Sequence, residues 1–175
     1  NRYIMGKLKE SNMTDKELYK ESKNLFDYKD GKLIRKCDAG TRGKKGHEAG
    51  TFNGCGYRTV MINKHLYYSH RVIWLMHYKT LPRFIDHVNN DRSDNRIENL
   101  RGATAAQNQH NRAINSNNTS GFKGVSWDRK SGKWAAQIRH DGKIKYLGRY
   151  DSINVAAKVV IDYRNKIHGE YANNG

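Results

Sequence analysis

Residues Ile85-Asp86-His87-Val88-Asn89-Asn90-Asp91-Arg92-Ser93-Asp94-Asn95-Arg96-Ile97-Glu98-Asn99-Leu100-Arg101-Gly102-Ala103-Thr104-Ala105-Ala106-Gln107-Asn108 decide how the chain is read. They predict a short strand, a polar loop, a second short strand and the start of a helix. Phe84, Ile85 and Val88 are the strand-like apolar positions before the loop. Asn89-Asn90-Asp91 is turn chemistry, because Asn and Asp tolerate the backbone angles of tight turns. Ile97 and Leu100 mark the return. Thr104 with Gln107 three residues later has the form of a capping box, which predicts a helix from about Ala105 to Arg112. That helix would carry Asn108 back towards the Asp86-His87 pair.

Those residue types suit a particular chemistry. Asp86 and Asn108 offer oxygen donors of the kind Mg²⁺ prefers, leaving positions for water and phosphate oxygens. His87 is neutral over much of the physiological range and is suited to take a proton from an attacking water. A cation there would polarise a phosphate and stabilise a departing oxygen.

The Asp-His doublet, the Asp94-Asn95-Arg96-x-x-Asn99-Leu100-Arg101 run and an Asn eight residues beyond Leu100 resemble the HNH nucleases, in particular the homing-endonuclease type of phages and mobile introns. The resemblance implies a ββα-metal unit. It implies His87 as general base, Asp86 and Asn108 as metal ligands, and Asn99 as the residue orienting the loop that carries the base. It further implies one divalent ion, Mg²⁺ with Mn²⁺ as the alternative, and products with 5′-phosphate and 3′-hydroxyl ends. Arg83, Arg101 and Arg112 are the candidates to brace the phosphate.

Composition points the same way. The chain has 175 residues with 33 Lys+Arg against 17 Asp+Glu, a formal charge of +16. That excess predicts a polyanionic partner, nucleic acid before an anionic membrane surface. Residues 1–80 carry +9, residues 81–116 carry +1 and residues 117–175 carry +6, so a nearly neutral middle lies between two basic flanks. Cys37 and Cys55 cannot build a disulfide framework and form no Cys-x-x-Cys pair, which fits reduced thiols and leaves a structural zinc module without its usual ligands. No apolar run approaches the ~20 residues of a membrane span, and no secretory signal pattern opens the chain. An intracellular setting, in a phage-infected or mobile-element-bearing cell, is the expectation.

Towards the N-terminus, residues 1–13 are expected to form a polar, basic leader. Thr14-Asp15-Lys16-Glu17 predicts a capped helix to about Phe26, with Leu18, Ser22, Leu25 and Phe26 near one face. Tyr28 to Ile34 reads as a hairpin about Asp30-Gly31. The Gly-, Lys- and Arg-rich stretch from Gly40 to Gly56 reads equally as a grip on a DNA backbone or as a solvated loop. Tyr57–Ile62 and His65–Tyr68 predict two strands across Asn63-Lys64. His70-Arg71 then enters an apolar helix that Pro82 is expected to end; His70 is expected to be a hydrogen-bonded structural residue.

Beyond Asn115-Ser116-Asn117-Asn118-Thr119-Ser120-Gly121, a polar stretch expected to be a linker, three strands are predicted: Lys123 to Ser126 or Trp127, Lys133 to Arg139, and Lys143 to Leu147. A helix follows Asp151, through Val155, Ala156, Val159, Val160, Tyr163 and Ile167 to near Gly169. Trp134, Ala136 and Ile138 alternate with Lys133, Gln137 and Arg139, giving one face to a core and the other to phosphates and base edges. Gly121-Phe122-Lys123-Gly124-Val125, Gly132 to Arg139, Tyr146-Leu147-Gly148, Ala156-Ala157 and His168 to Ala172 resemble the plant ethylene-response-factor (APETALA-type) DNA-binding domain over residues 119–173. The resemblance implies a three-stranded sheet laid in the major groove, with Lys123, Gln137, Arg139 and Tyr146 facing DNA. Trp127, Arg129, Lys143 and Lys145 are further contact candidates. Ser126 and Asp128 stand where the plant domains are Arg-rich, so the plant target sequences do not carry over.

The fold expected is therefore α+β: a ββα-metal domain over residues 14–114 with an N-terminal β-rich extension, a linker at 115–120, and a small sheet-plus-helix domain over 121–175. The expected function is a metal-dependent endonuclease on double-stranded DNA, as a monomer or homodimer, with no protein partner evident. A non-catalytic DNA-binding regulator on the same scaffold is the alternative. An RNA-binding protein fits the charge but leaves the metal-ligand set without a purpose.

Overall fold

The computed structural model describes residues 13–111, 114–140 and 142–174. The expected leader except Met13, together with Arg112 and Asp141, therefore lies outside the described residues. The chain divides into two compact units between Ala103 and Thr104.

In the first unit, helix α1 (Asp15–Leu25) starts with both halves of the capping box made. The Thr14 N–H and hydroxyl donate to Glu17 Oε2 at 2.8 Å each, and the Glu17 N–H donates to Thr14 Oγ1 at 3.3 Å. Strands β1 (Phe26–Lys29) and β2 (Lys32–Arg35) form the expected hairpin. Its turn residues Asp30 and Gly31 have φ of 50° and 77°, the left-handed pair that matches the twist of adjoining strands. A Cβ on Gly31 would fall 2.7 Å from the Arg96 nitrogen, so only glycine lets this turn approach the 88–99 loop.

Strands β3 (Thr51–Phe52), β4 (Arg58–Ile62) and β5 (His65–Tyr68) make an antiparallel sheet in that order. Asn63 and Lys64 turn it with φ of 46° and 65°. Helix α2 (Ser69–Tyr78) stops at Lys79, whose φ of 61° directs its N–H to the Leu75 carbonyl. The helix thus ends three residues before Pro82, on a left-handed cap rather than on the proline ring.

Strands β6 (Phe84–His87) and β7 (Leu100–Ala103) then pair antiparallel, with Asp86 opposite Arg101 and His87 opposite Leu100. Val88 lies outside the strand and is 44% exposed, because its N–H is already bonded to Asn99 O and the chain turns at Asn90 (φ 62°). Ile97–Asn99 is a single 3-10 turn, so the return strand starts at Leu100.

Leu18, Phe26, Leu33, Val60, Ile62, Val72, Ile73, Leu75, Ile85 and Leu100 form one core beneath these elements. Phe26 is 1% exposed at the junction of α1 and β1. Phe26→Ala is expected to destabilise the protein by about 3–5 kcal/mol, measured by urea titration, since it removes a buried aromatic and leaves a cavity.

The second unit opens with α3 (Ala105–His110), capped as expected by reciprocal Thr104–Gln107 hydrogen bonds of 2.8 and 3.2 Å. Strands β8 (Val125–Asp128), β9 (Lys133–His140) and β10 (Lys143–Tyr150) form an antiparallel sheet with β9 in the centre and a bulge between Tyr146 and Gly148. The first strand starts later than expected because Gly124 (φ 87°) turns the chain with no room for a Cβ, which would fall 2.5 Å from the Gln137 carbonyl.

Helix α4 (Ile153–His168) covers the sheet. Its Ala156 and Ala157 are buried against Val125 and Ala136, together with Val160. Arg164, 3% exposed, donates to the Lys123 carbonyl (2.6 Å) and to Asn174 Oδ1 (2.8 Å), tying the end of the chain to the first strand's approach. Both units mix helix and strand, and the second is the three-stranded sheet plus helix that was anticipated.

Candidate active site and nucleic-acid interface

The β6–β7 hairpin buries Asp86 and His87, at 6% and 5% exposed, in consecutive positions of one strand. Adjacent strand residues point to opposite faces. Arg101 donates through Nε and Nη2 to Asp86 Oδ2 at 3.0 and 2.8 Å, as their direct opposition across the ladder allows. His87 Nε2 lies 3.0 Å from Asn95 Oδ1. An amide oxygen only accepts, so the ring proton sits on Nε2 and the lone pair on Nδ1. Burial lowers the His87 pKa below its usual value, against the opposing influence of Asn95 and of Asp86, Asp91 and Asp94. The imidazole is therefore neutral at pH 7, the state a general base needs.

Asn99 closes the loop around this pair. Its Oδ1 accepts from the Asn89 N–H (3.0 Å) and its Nδ2 donates to Asn89 Oδ1 (2.9 Å) and Asp94 O (2.7 Å). Asp94 is in turn held by Arg96 at 2.8 and 2.7 Å, which brings its carboxyl pKa down to about 2. A buried amide with three such bonds fixes the loop that carries Asn95.

Behind His87 stand rings that sequence reasoning did not assemble. His70 meets His87 edge-on with centroids 5.1 Å apart, stacks on Tyr68 at 5.4 Å, and lies 5.4 Å from Tyr57. Arg92 sits over the Tyr57 ring and donates to Cys55 O, so the 53–57 turn is held to the 88–99 loop. His70 was expected to be held by hydrogen bonds. Its Nδ1 has no such partner among the described residues, and the rings around it do the holding. Burial pushes its pKa well below the ordinary imidazole value, with nearby His87 and Arg71 adding to the effect.

His70 and His87 together make stability pH-dependent. Both have folded pKa values below 6.5, so as pH falls through 6.5 the unfolded chain takes up protons that the folded chain resists. Stability is expected to be flat above that pH and to drop below it, by at most about 1.4 kcal/mol per pH unit for each histidine. Denaturant titrations between pH 5 and 8 check this.

Among the described residues, no group of three or more His, Cys, Asp or Glu is placed to hold a metal. A small hard cation takes carboxylate, amide and phosphate oxygens as ligands. Asp86 has the donor chemistry for that arrangement, which suits a small hard ion that keeps several waters. The Arg101 donors engage Oδ2, one of its two oxygens. Asn108 is half-buried on α3, in the second unit, with its N–H on the Thr104 carbonyl at 3.0 Å.

The sheet of the second unit presents two chemically different faces. Val125, Ala136 and Ile138 are buried towards α4, and Lys145, opposite Ile138, places its ammonium 4.7 Å from the Tyr163 ring of that helix. Lys143 alternates with Ile144 and so shares the side of Lys145. Gln137 and Arg139 are exposed on the other side, opposite Tyr146 and Ile144 respectively. Arg149 joins them, over the Tyr146 ring and paired with Asp128. Trp127 is 48% exposed and meets Trp134 edge-on at 5.0 Å; Arg129 is exposed in the following turn. Lys123 precedes β8 and donates to the Asn173 carbonyl at 3.2 Å. Both cysteines are exposed and free. No helix among the described residues is long and apolar enough to cross a membrane.

Comparison with known proteins agrees with this geometry. Residues 67–110, from β5 through α3, match the HNH endonuclease family model, and residues 120–170 match that of the AP2 domain. "Protein 3.8" of Escherichia phage T7 is 29% identical over 105 residues, covering 59% of this chain and 86% of that protein. No solved structure matches. A nuclease or DNA-binding role is what these segments support in common: one is similar to HNH endonucleases and the one after it to AP2 domains.

Proposed function

We propose that this protein is a divalent-metal-dependent DNA endonuclease of the phage homing type, acting inside the cell and directed to its site by the sheet of the second unit. The observation that carries the reading is the buried Asp86–His87 pair, with His87 held through Nε2 by Asn95 inside the segment that matches the HNH endonuclease model. His87 Nδ1 takes the proton from the attacking water, while Asn95 keeps the ring oriented and Asn99 keeps Asn95's loop in place. Asp86 and Asn108 are the proposed oxygen ligands. A Mg²⁺ or Mn²⁺ ion bound there supplies positive charge to polarise the phosphate and stabilise the departing 3′ oxygen. Hydrolysis in this sense leaves 5′-phosphate and 3′-hydroxyl ends.

For DNA binding, Gln137, Arg139 and Tyr146 on the outer face are assigned to the bases. Lys123, Trp127, Arg129, Lys143 and Lys145, around its margins and behind it, are assigned to the backbone. The functional boundary is placed at residues 115–120, between a nuclease region of 14–114 and a reader of 121–175. That is later than the break in packing at Ala103/Thr104.

The Arg101–Asp86 ion pair favours a second reading, a DNA-binding regulator that keeps the scaffold without cutting, because it occupies one oxygen of the proposed ligand. Incubating supercoiled plasmid with the protein, with Mg²⁺ or with EDTA, separates the two. Nicked or linear product in Mg²⁺ alone is expected; intact plasmid under both conditions, with a shifted band on a gel, would establish the regulator.

A further inference from the structure

The outer face of the second unit's sheet carries one residue that charge and hydrogen bonding do not explain. Ile144, the second residue of β10, is 60% exposed and carries a β-branched apolar side chain. Its opposite residue is Arg139, and the next pair on the same face is Gln137 with Tyr146. Side chains directly opposed on neighbouring strands have Cβ atoms about 5 Å apart. Ile144 and Arg139 therefore reach the same base pair or adjacent ones when this face lies along a groove. Every hydrogen-bonding group on the floor of the major groove is polar, and the apolar feature there is the thymine methyl. An isoleucine beside an arginine on a DNA-facing sheet has that methyl as its apolar counterpart.

We propose that Ile144 reads a thymine methyl in the target, next to a base contacted by Arg139. The proposal rests on the reading of this face as a DNA-binding surface and adds the chemical class of base pair it selects. Charge favours duplex DNA as the occupant over a second copy of the chain. The face holds Arg139 opposite the isoleucine and Gln137 in the next pair, and the segment from 117 to 175 carries +6. Two such faces would bring like charges together, whereas a duplex brings phosphates to both sides of an apolar contact.

The test starts from a preferred duplex, selected by the full-length protein from a random library with Ca²⁺ replacing Mg²⁺. Each thymine in that duplex is exchanged singly for deoxyuridine, which removes the methyl and nothing else, and Kd is measured. At one thymine, uridine is expected to weaken wild-type binding about 3- to 10-fold. Ile144→Ala is expected to weaken binding to the thymine duplex by a similar factor and to bind thymine and uridine duplexes alike. Ile144→Val, which keeps the branched methyls, is expected to retain most of the discrimination. Selective duplex binding that tolerates uridine at every position would overturn the role of Ile144 while leaving the DNA-binding face intact. A chain with no sequence preference at all would instead remove the reading beneath it. If Ile144→Ala changes sedimentation behaviour but not the thymine-to-uridine ratio, the patch serves self-association and the proposal is wrong.

Discussion

His87→Ala is expected to abolish plasmid cutting, lowering the rate by about 10²- to 10⁴-fold, the usual contribution of a positioned general base. Affinity for duplex DNA should stay within a few-fold, because His87 is buried and carries no charge at pH 7. Single-turnover cleavage beside a binding titration measures both on the same protein. Imidazole added to the variant offers a further check, since a small base that enters the vacated volume restores part of the rate. Cutting at the wild-type rate would remove His87 from the chemistry. The pH profile follows from the same burial: the cleavage rate should be sustained down through pH 6.5 and fall only below it, where the ring begins to be protonated.

The second large effect concerns the sheet. A triple variant, Gln137→Ala with Arg139→Ala and Tyr146→Ala, removes the amide, the guanidinium and the ring that share the outer face. A well-formed side-chain-to-base contact is worth about 1–3 kcal/mol of discrimination. Specific affinity should therefore fall on the order of 10²- to 10³-fold, and affinity for unrelated duplex by far less. None of the three is assigned to a phosphate, so the slope of log K against log salt should stay nearly unchanged. Binding isotherms on target and scrambled duplexes at several salt concentrations read out both quantities. An unchanged ratio between the two duplexes would mean that this face does not choose the site.

Much of the architecture was legible because its signals are local. Asp30, Gly31 and Asn63 turn the hairpins through left-handed backbone angles that those residue types accept cheaply, and Lys64 follows Asn63 with a φ of 65°. The Thr14–Glu17 and Thr104–Gln107 boxes start α1 and α3 where their spacing says. What escaped depends on register or on burial. Arg101 could not be matched to Asp86 until the β6–β7 ladder set them opposite each other. Asn95, the partner of His87, looks like one more polar loop residue, and only its 2% exposure distinguishes it. The ring cluster of Tyr57, Tyr68 and His70 is drawn from three elements whose convergence no spacing rule encodes. On β10 the sequence held more than was taken from it. A period of two already separates Tyr146 from Lys143 and Lys145, so these three cannot share one face.

The contact of Gly31 with the 88–99 loop has a consequence for how this protein can be trimmed. Tyr28 Oη accepts the Ile97 N–H at 3.1 Å from the same hairpin, so the first 35 residues supply a bracket to a loop some seventy positions away. A fragment cut to residues 67–110 would hold every proposed reacting group and lose that bracket. Such a fragment should be inert however high its concentration, and a bulky residue engineered at position 31 should silence the intact protein in the same manner.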